Sequence, residues 1–408
     1  MNNIGNIDIK ELASQFGTPL YVYDKNIFKK NYNTLKDALD KYYPNNNIHF
    51  SAKANSNLFV LKAFNELGSG VDASSPIEVK LSKMAGFDDD NILYTGNYES
   101  HEDFETIFDM DLKANLDDIE SFKRLLKIGV PNRISFRINP GIGRGGFEGI
   151  TTAGSDAKFG IPYENAYDAY KLAKDSGVTR FGIHMMTGSN NLEPYYFAEV
   201  VDKLLIIAND IFKPLGIKPE FIDIGGGQGV PYYDDEPVLN VDLMAKLISE
   251  IIIERCKKYN FGSPQLILEP GRYLAANAGF LIAKVTGRKH GYKNFVGLDA
   301  GMNTLVRPSL YGAFHRAEVY GKTNNLENIN LCGQICENSD IFAKNIQLPK
   351  TEEGDLVIFR ECGAYAYAMA STYNSRMRPA EIMVDNKEVK LIRKKETFED
   401  LMKLYPEL

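Results

Sequence analysis

Cysteine is scarce in this sequence: Cys256, Cys332, Cys336 and Cys362 are the only four in 408 residues. So few, with no basic-then-apolar leader at the N-terminus, argue against a disulfide scaffold and predict free thiols. Cys256 fits a buried small hydrophobe. Cys332 and Cys336 have three residues between them and no histidine cluster beside them, so zinc is not expected, nor any other metal. No apolar run approaches the roughly 18 residues that a membrane span requires. Basic residues do not predominate, with 47 Lys and Arg against 54 Asp and Glu. The net charge of -7 argues against a general nucleic-acid binder, while leaving room for a local basic pocket around one small phosphate. The GxGxxG and GxxxxGK[ST] spacings are missing too, which leaves dinucleotide and nucleoside-triphosphate binding unsupported. Internal repeats and low-complexity tracts are absent. The expectation is a cytoplasmic globular protein with no membrane and no nucleic-acid partner, too long for one compact core.

What is present is a regular alternation. Strand-like apolar runs at 20–23, 48–52, 92–94, 134–138, 181–185, 221–224 and 266–268 alternate with helical patterns at 27–42, 57–67, 76–84, 166–176, 197–212 and 242–259. Repeated βα units predict an α/β fold with parallel strands, and about eight of them close a (β/α)8 TIM-like barrel whose ligands sit at the C-terminal strand ends. After residue 279 the texture changes. Runs at 280–284, 295–299, 329–332, 356–359, 382–384 and 389–393 are separated by turns instead of long helices. The predicted domains are a barrel over 20–275 and a mostly β domain over 276–408. Residues 1–19, with one short helix at 9–16, could pack on either.

Three strand ends carry chemically interesting residues. Residues 48–57 read IHFSAKANSN and set Lys53 among small neighbours just after a strand. A lysine there is ordinarily a solvated charge; as a catalytic amine it needs a partly desolvated site. Residues 221–230 read FIDIGGGQGV, and Gly225, Gly226 and Gly227 could bring backbone N–H groups close to an anion or simply form a flexible turn. Residues 266–272 read LILEPGR. Glu269 and Arg272 could pair with each other, or serve two ends of one ligand. In the second domain, segments 299–315, 331–340 and 362–381 place polar residues beside Gly and Pro, as site-building loops do.

In this order the segments resemble the alanine-racemase-type (fold-type III) pyridoxal-phosphate decarboxylases, over residues 21–381, and within that family the members that act on diaminopimelate. The resemblance implies pyridoxal 5′-phosphate held covalently by Lys53, with Asp72 and Glu78 near its ring and Glu269 facing the ring nitrogen. It implies support from Arg137, and cofactor contacts from His184, Ser189, Gly225, Gly226, Gly227, Gly271, Arg272 and Tyr365. Arg307 and Tyr311 match residues holding the substrate's distal carboxylate, with Arg272 and Tyr365 also near the substrate. Cys336 matches the proton donor, and Glu337 the acceptor for the distal ammonium. The family works as a head-to-tail homodimer in which Cys336 and Glu337 reach the partner's cofactor. The implied reaction converts meso-diaminopimelate to L-lysine and carbon dioxide.

The sequence departs from the family at one place. Members commonly read HxHIGSQ, with the second histidine stacked on the ring, whereas residues 184–190 here read HMMTGSN and put Met186 at that position. A similar HxxTG pattern occurs in relatives that decarboxylate a carrier-tethered glutamate. The alternatives are therefore a related decarboxylase for a D-configured, modified or tethered amino acid, or a cofactor-binding homologue without catalysis.

Overall fold

The computed structural model describes residues 1–406 except 109, 111, 142–143, 146–152 and 155, with the side chains of 144 and 145 also left aside. Every candidate residue lies within the described set. The chain divides into two units: one formed by Lys30–Pro231 with Pro237–Leu274, the other by Met1–Lys29, Tyr232–Glu236 and Ala275–Leu408.

The first unit is a closed barrel of eight parallel strands. In chain order they are Asn46–Ser51, Gly70–Ala73, Ile92–Tyr94, Lys113–Leu116, Arg133–Phe136, Arg180–His184, Phe221–Asp223 and Gln265–Leu268. Parallel strands buried on both faces read as continuous apolar runs, and ILY and QLIL do so. Two barrel strands were not anticipated. GVDA is four residues with an acid in it, and KANL carries a lysine and an asparagine, yet all eight of these positions are buried. Their polar side chains disguise them, because the lumen of this barrel is itself polar. Helices are punctuated by local chemistry. In Pro76–Ala85 the Ser75 hydroxyl caps the N-terminus, Pro76 occupies the first turn, and Gly86 closes the helix at φ 99°.

At the N-terminal end of the lumen Arg133 pairs with Asp90 at 2.9 Å and Glu220 at 3.2 Å, and Lys113 donates to the Asp90 carbonyl. Deeper inside, His49 is wholly buried, and neither ring nitrogen has a partner among the described residues. Burial, reinforced by the Lys113 charge, pushes its pKa down to about 3. The unfolded chain, with an ordinary histidine near 6.5, therefore binds the proton more readily than the folded one. Stability from neutral His49 is complete above about pH 6.5 and drains away as pH falls toward about 3, by about 1.4 kcal/mol per pH unit. His49→Gln should flatten the acid limb by that slope; denaturant unfolding of both proteins across this window checks it, and parallel acid limbs would reject it.

The second unit is a mostly β sheet. Its strands run in the order Ile341–Pro349, Leu326–Cys332, Asn294–Leu298, Gly279–His290, Leu20–Asp24, Ala380–Asp385 and Glu388–Arg393; Leu356–Phe359 branches from Gly279–His290, and Ala317–Val319 pairs with Leu356–Phe359. The strand at 20–24, expected within the barrel range 20–275, belongs here. It pairs antiparallel with Gly279–His290 and parallel with Ala380–Asp385. All five of its residues are buried, so its pattern matches a barrel strand, and only partners more than 250 positions away distinguish the two. Residues 1–19 join the same unit. Ile4, Ile9 and Leu12 pack in one core cluster with Leu20, Val22, Phe280, Ile282, Ile358, Ile382 and Val384. Each such buried aliphatic contributes about 1.5–3 kcal/mol.

Candidate active site

The C-terminal ends of the barrel strands gather most of the candidates. Lys53 follows Asn46–Ser51 on a one-turn 3-10 helix between buried Ala52 and Ala54. Its side chain is 43% exposed, but its ammonium pairs with the fully buried carboxylate of Asp72, on the neighbouring strand. Burial raises the Asp72 pKa and the nearby Glu269 charge raises it further, while Lys53 pulls it back. Glu78 accepts the Ser74 N–H at 2.7 Å in the first turn of its helix; burial raises its pKa, and Lys53 again opposes the rise.

Glu269 follows Gln265–Leu268 and is itself buried. Its Oε2 lies 3.4 Å from His184 Nε2, at the end of Arg180–His184. Burial works against ionisation of Glu269, yet His184, Lys53 and Arg137 together hold its carboxyl below the usual range. Arg137, one residue past Arg133–Phe136, is buried with its guanidinium carbon 4.4 Å from the Phe159 ring centre. The barrel thus brings Lys53, Asp72, Glu78, Arg137, His184 and Glu269 into one electrostatic group. Charges sharing a buried site at this range act far more strongly than in water.

The triple-glycine turn lies against the same group. Glu269 N–H donates to the Gly225 carbonyl at 2.9 Å, and Ser51 Oγ donates to the Glu269 carbonyl at 2.8 Å. A Cβ on Gly226 would sit 2.4 Å from that carbonyl oxygen, so no larger residue fits without moving Glu269. Gly227, at φ 96°, backs onto the Gly188 carbonyl next to Ser189, which is half-buried. Gly271 and Arg272 complete the rim, both buried at the turn after Gln265–Leu268. Gly226→Ala should therefore displace Glu269, destabilise the fold by about 1–3 kcal/mol and weaken cofactor binding at least about tenfold. Thermal melts and cofactor titration read both effects, and an unchanged affinity would contradict the close-packing account.

Met186, standing where the family places a histidine, turns its sulfur to this glycine run: Sδ accepts the Gly226 N–H at 3.2 Å. Sequence reasoning also missed Ser51 and Asp223. Ser51 gave no signal beyond being small. Asp223 did give one, since an acid inside the apolar run FIDI is a buried charge needing an explanation.

In the β unit three chosen segments meet. The Asp340 carboxylate accepts Met302 N–H at 2.6 Å and Ile335 N–H at 2.7 Å, Ser371 N–H donates to the Asn303 carbonyl at 2.8 Å, and Cys336 N–H donates to Asn374 Oδ1 at 2.6 Å. These bonds stitch 299–315, 331–340 and 362–381 together. Arg307 and Tyr311 head and end one short helix, with the Arg307 guanidinium buried 5.7 Å from the Tyr232 ring centre. Cys336 and Glu337 are exposed on their turn, with Tyr373 OH donating to Glu337 at 3.4 Å. Tyr365 holds φ +55°; such left-handed backbone costs about 1–3 kcal/mol outside glycine and clusters at functional sites.

These residues fit a phosphorylated pyridine aldehyde. The glycine turn packs without side chains against the Glu269 and Gly188 carbonyls; Lys53 supplies the amine; and Glu269, whose carboxyl its neighbours hold below the usual range, suits a protonated ring nitrogen. Comparison with known proteins agrees. Residues 28–276 match the family model described as pyridoxal-dependent decarboxylase, pyridoxal binding domain. A diaminopimelate decarboxylase of Methanothermobacter thermautotrophicus is 40% identical over 403 residues, covering 98% of this chain and 94% of the relative. That of Thermoplasma acidophilum is 36% identical, covering 98% and 96%. The crystal structure of diaminopimelate decarboxylase from Helicobacter pylori complexed with L-lysine superposes with a TM-score of 0.89 at 32% identity, covering 97% of this chain and 99% of that one. Identity of this extent along nearly the whole of both chains reflects common descent, and the chain belongs to the pyridoxal-dependent decarboxylases.

Proposed function

We propose that this chain uses pyridoxal 5′-phosphate to decarboxylate meso-diaminopimelate, yielding L-lysine and carbon dioxide. The observation that carries the reading is the pairing of Lys53 with Asp72 beside Glu269, whose carboxyl its neighbours hold below the usual range, at the rim of the barrel. Similarity to diaminopimelate decarboxylases over nearly the full chain supports the substrate. When bound, the cofactor serves as an electron sink for the pair left on the substrate's α-carbon as carbon dioxide departs. In this reading Lys53 holds the cofactor covalently, and Asp72 keeps the lysine ammonium placed until it gives up its proton. Glu269 would keep a proton on the ring nitrogen by its charge, since an opposite charge within about 4–6 Å is worth a pKa unit or more. Arg137, Glu78 and His184 fix the surroundings of the ring, while Ser189, Gly225, Gly226, Gly227, Gly271, Arg272 and Tyr365 hold the phosphate and its approaches. Cys336 delivers the proton to the α-carbon.

Specificity follows from charge matching. The far end of diaminopimelate bears a carboxylate, for Arg307 and Tyr311, and an ammonium, for Glu337. Losing one partner of a buried charge pair costs roughly 2–5 kcal/mol, so Arg307→Ala should raise KM for meso-diaminopimelate by about 30-fold or more with a smaller change in kcat. An unchanged KM would remove Arg307 from the substrate site. The reading includes, from the family resemblance, a head-to-tail dimer in the cytoplasm in which Cys336 and Glu337, exposed on their turn, reach the partner's cofactor; sedimentation and cell fractionation test the dimer and its location.

Met186 supports a second reading, decarboxylation of a different amino acid, since it departs from the histidine of the family pattern and turns its sulfur to the glycine run. Ranking kcat/KM over meso-diaminopimelate, its D-configured isomer, lysine and ornithine decides between them. The first reading expects meso-diaminopimelate to lead, and fails if lysine or ornithine does.

A further inference from the structure

The strand Phe221–Asp223 ends on a carboxyl group to which the mechanism above gives no task. Asp223 is wholly buried. Its Oδ1 accepts the Gly225 N–H at 2.8 Å, and its Oδ2 has no donor among the described residues. Glu269 shows the same asymmetry, with Oε2 beside His184 at 3.4 Å and Oε1 without a donor. Ligand-type atoms of His184, Asp223 and Glu269 all lie within 4.8 Å of one another. Two buried carboxylates within 4.8 Å disfavour each other's ionisation, which favours one proton on the pair.

The surroundings decide which oxygen carries it. Glu269 faces His184, Lys53 and Arg137. Asp223 faces Glu269 and Asp72, and among the described residues its hydrogen-bond donor is the Gly225 N–H. On the adjacent strand its register partner is His184. We propose that Asp223 stands as the neutral acid and donates its O–H to the Glu269 carboxylate, which makes Asp223 a positioning residue that keeps Glu269 anionic and aimed. Burial and the Glu269 charge both push Asp223 far above the ordinary aspartate range, in the same sense. One shared proton leaves the pair with a single negative charge. A strong hydrogen bond to a buried anion also fixes its rotamer.

The claim concerns the chain before any substrate binds, so its test is separable from the substrate reading. Infrared spectra of the unloaded protein at neutral pH should contain the carbonyl stretch of a protonated carboxylic acid. Asp223→Asn should remove that band, and Asp72→Asn serves as the control for the other buried acid. If the Asp223→Asn difference spectrum shows a lost carboxylate instead, the proposal is wrong. Titration with pyridoxal 5′-phosphate gives a second readout. The amide introduced by Asp223→Asn can still donate to Glu269, so this variant should bind the cofactor within about threefold of the native protein, whereas Asp223→Leu, with no donor, should bind about 10- to 100-fold more weakly. Equal weakening in both variants, or none in Asp223→Leu, overturns it.

Discussion

Lys53→Ala should abolish the near-visible absorption of bound cofactor and lower kcat by about a thousandfold or more, because the covalent anchor and the group that exchanges with substrate are lost together. The fold should survive. Asp72 loses its ammonium partner, but its carboxyl is already raised by burial and by Glu269, so it can take up a proton instead of standing as a bare buried charge. Lys53→Arg sharpens the test. Guanidinium preserves the ion pair with Asp72 yet stays protonated, with a pKa above about 12, and cannot condense with an aldehyde. The account expects Lys53→Arg to melt like the native protein while remaining as inactive as Lys53→Ala. Activity in Lys53→Arg would show that charge, not covalent attachment, is what position 53 supplies.

Glu269→Gln should be the next most damaging substitution, lowering kcat by about 100- to 1000-fold with little change in KM. The amide keeps the size of the side chain, and the backbone contacts to Ser51 and Gly225 are unaffected. What disappears is the negative charge that three neighbours, His184, Lys53 and Arg137, hold in place against burial. Loss of the charge removes the reason for the ring nitrogen to stay protonated. The same change relieves Asp72, whose pKa Glu269 raises, so Asp72 should ionise at lower pH in the variant. A pH profile of kcat separates the two effects. If Glu269→Gln keeps near-native kcat, the carboxylate does not act on the ring.

Much of the site was legible in the sequence because chemistry concentrates at strand ends, where short motifs carry it. AKANSN, GGG and LEPGR each place their functional groups within four residues of a barrel strand, so a local pattern suffices to find them. The glycine run could be read as a cradle or a flexible turn, and what decides is spatial: the Glu269 carbonyl, 2.4 Å from where a Gly226 Cβ would lie. Polarity inside the barrel concealed the rest. KANL and GVDA turn lysine, asparagine and aspartate into the lumen, and a hydrophobic-period search passes over them. Leu20–Asp24 failed in the opposite direction. Its apolar pattern is that of a barrel strand, and its membership in the second sheet is set by pairing with Gly279–His290 and Ala380–Asp385. Asp223 lay in plain view inside FIDIGGG, overlooked because the glycines after it made the stronger signal.

The most direct test of the central claim is to supply the purified, cofactor-loaded protein with meso-diaminopimelate and identify what it makes. The account predicts lysine, recognised by its mass, formed with one carbon dioxide for each molecule. A product that retains both carboxyl groups, or no carbon dioxide from this substrate, would contradict it.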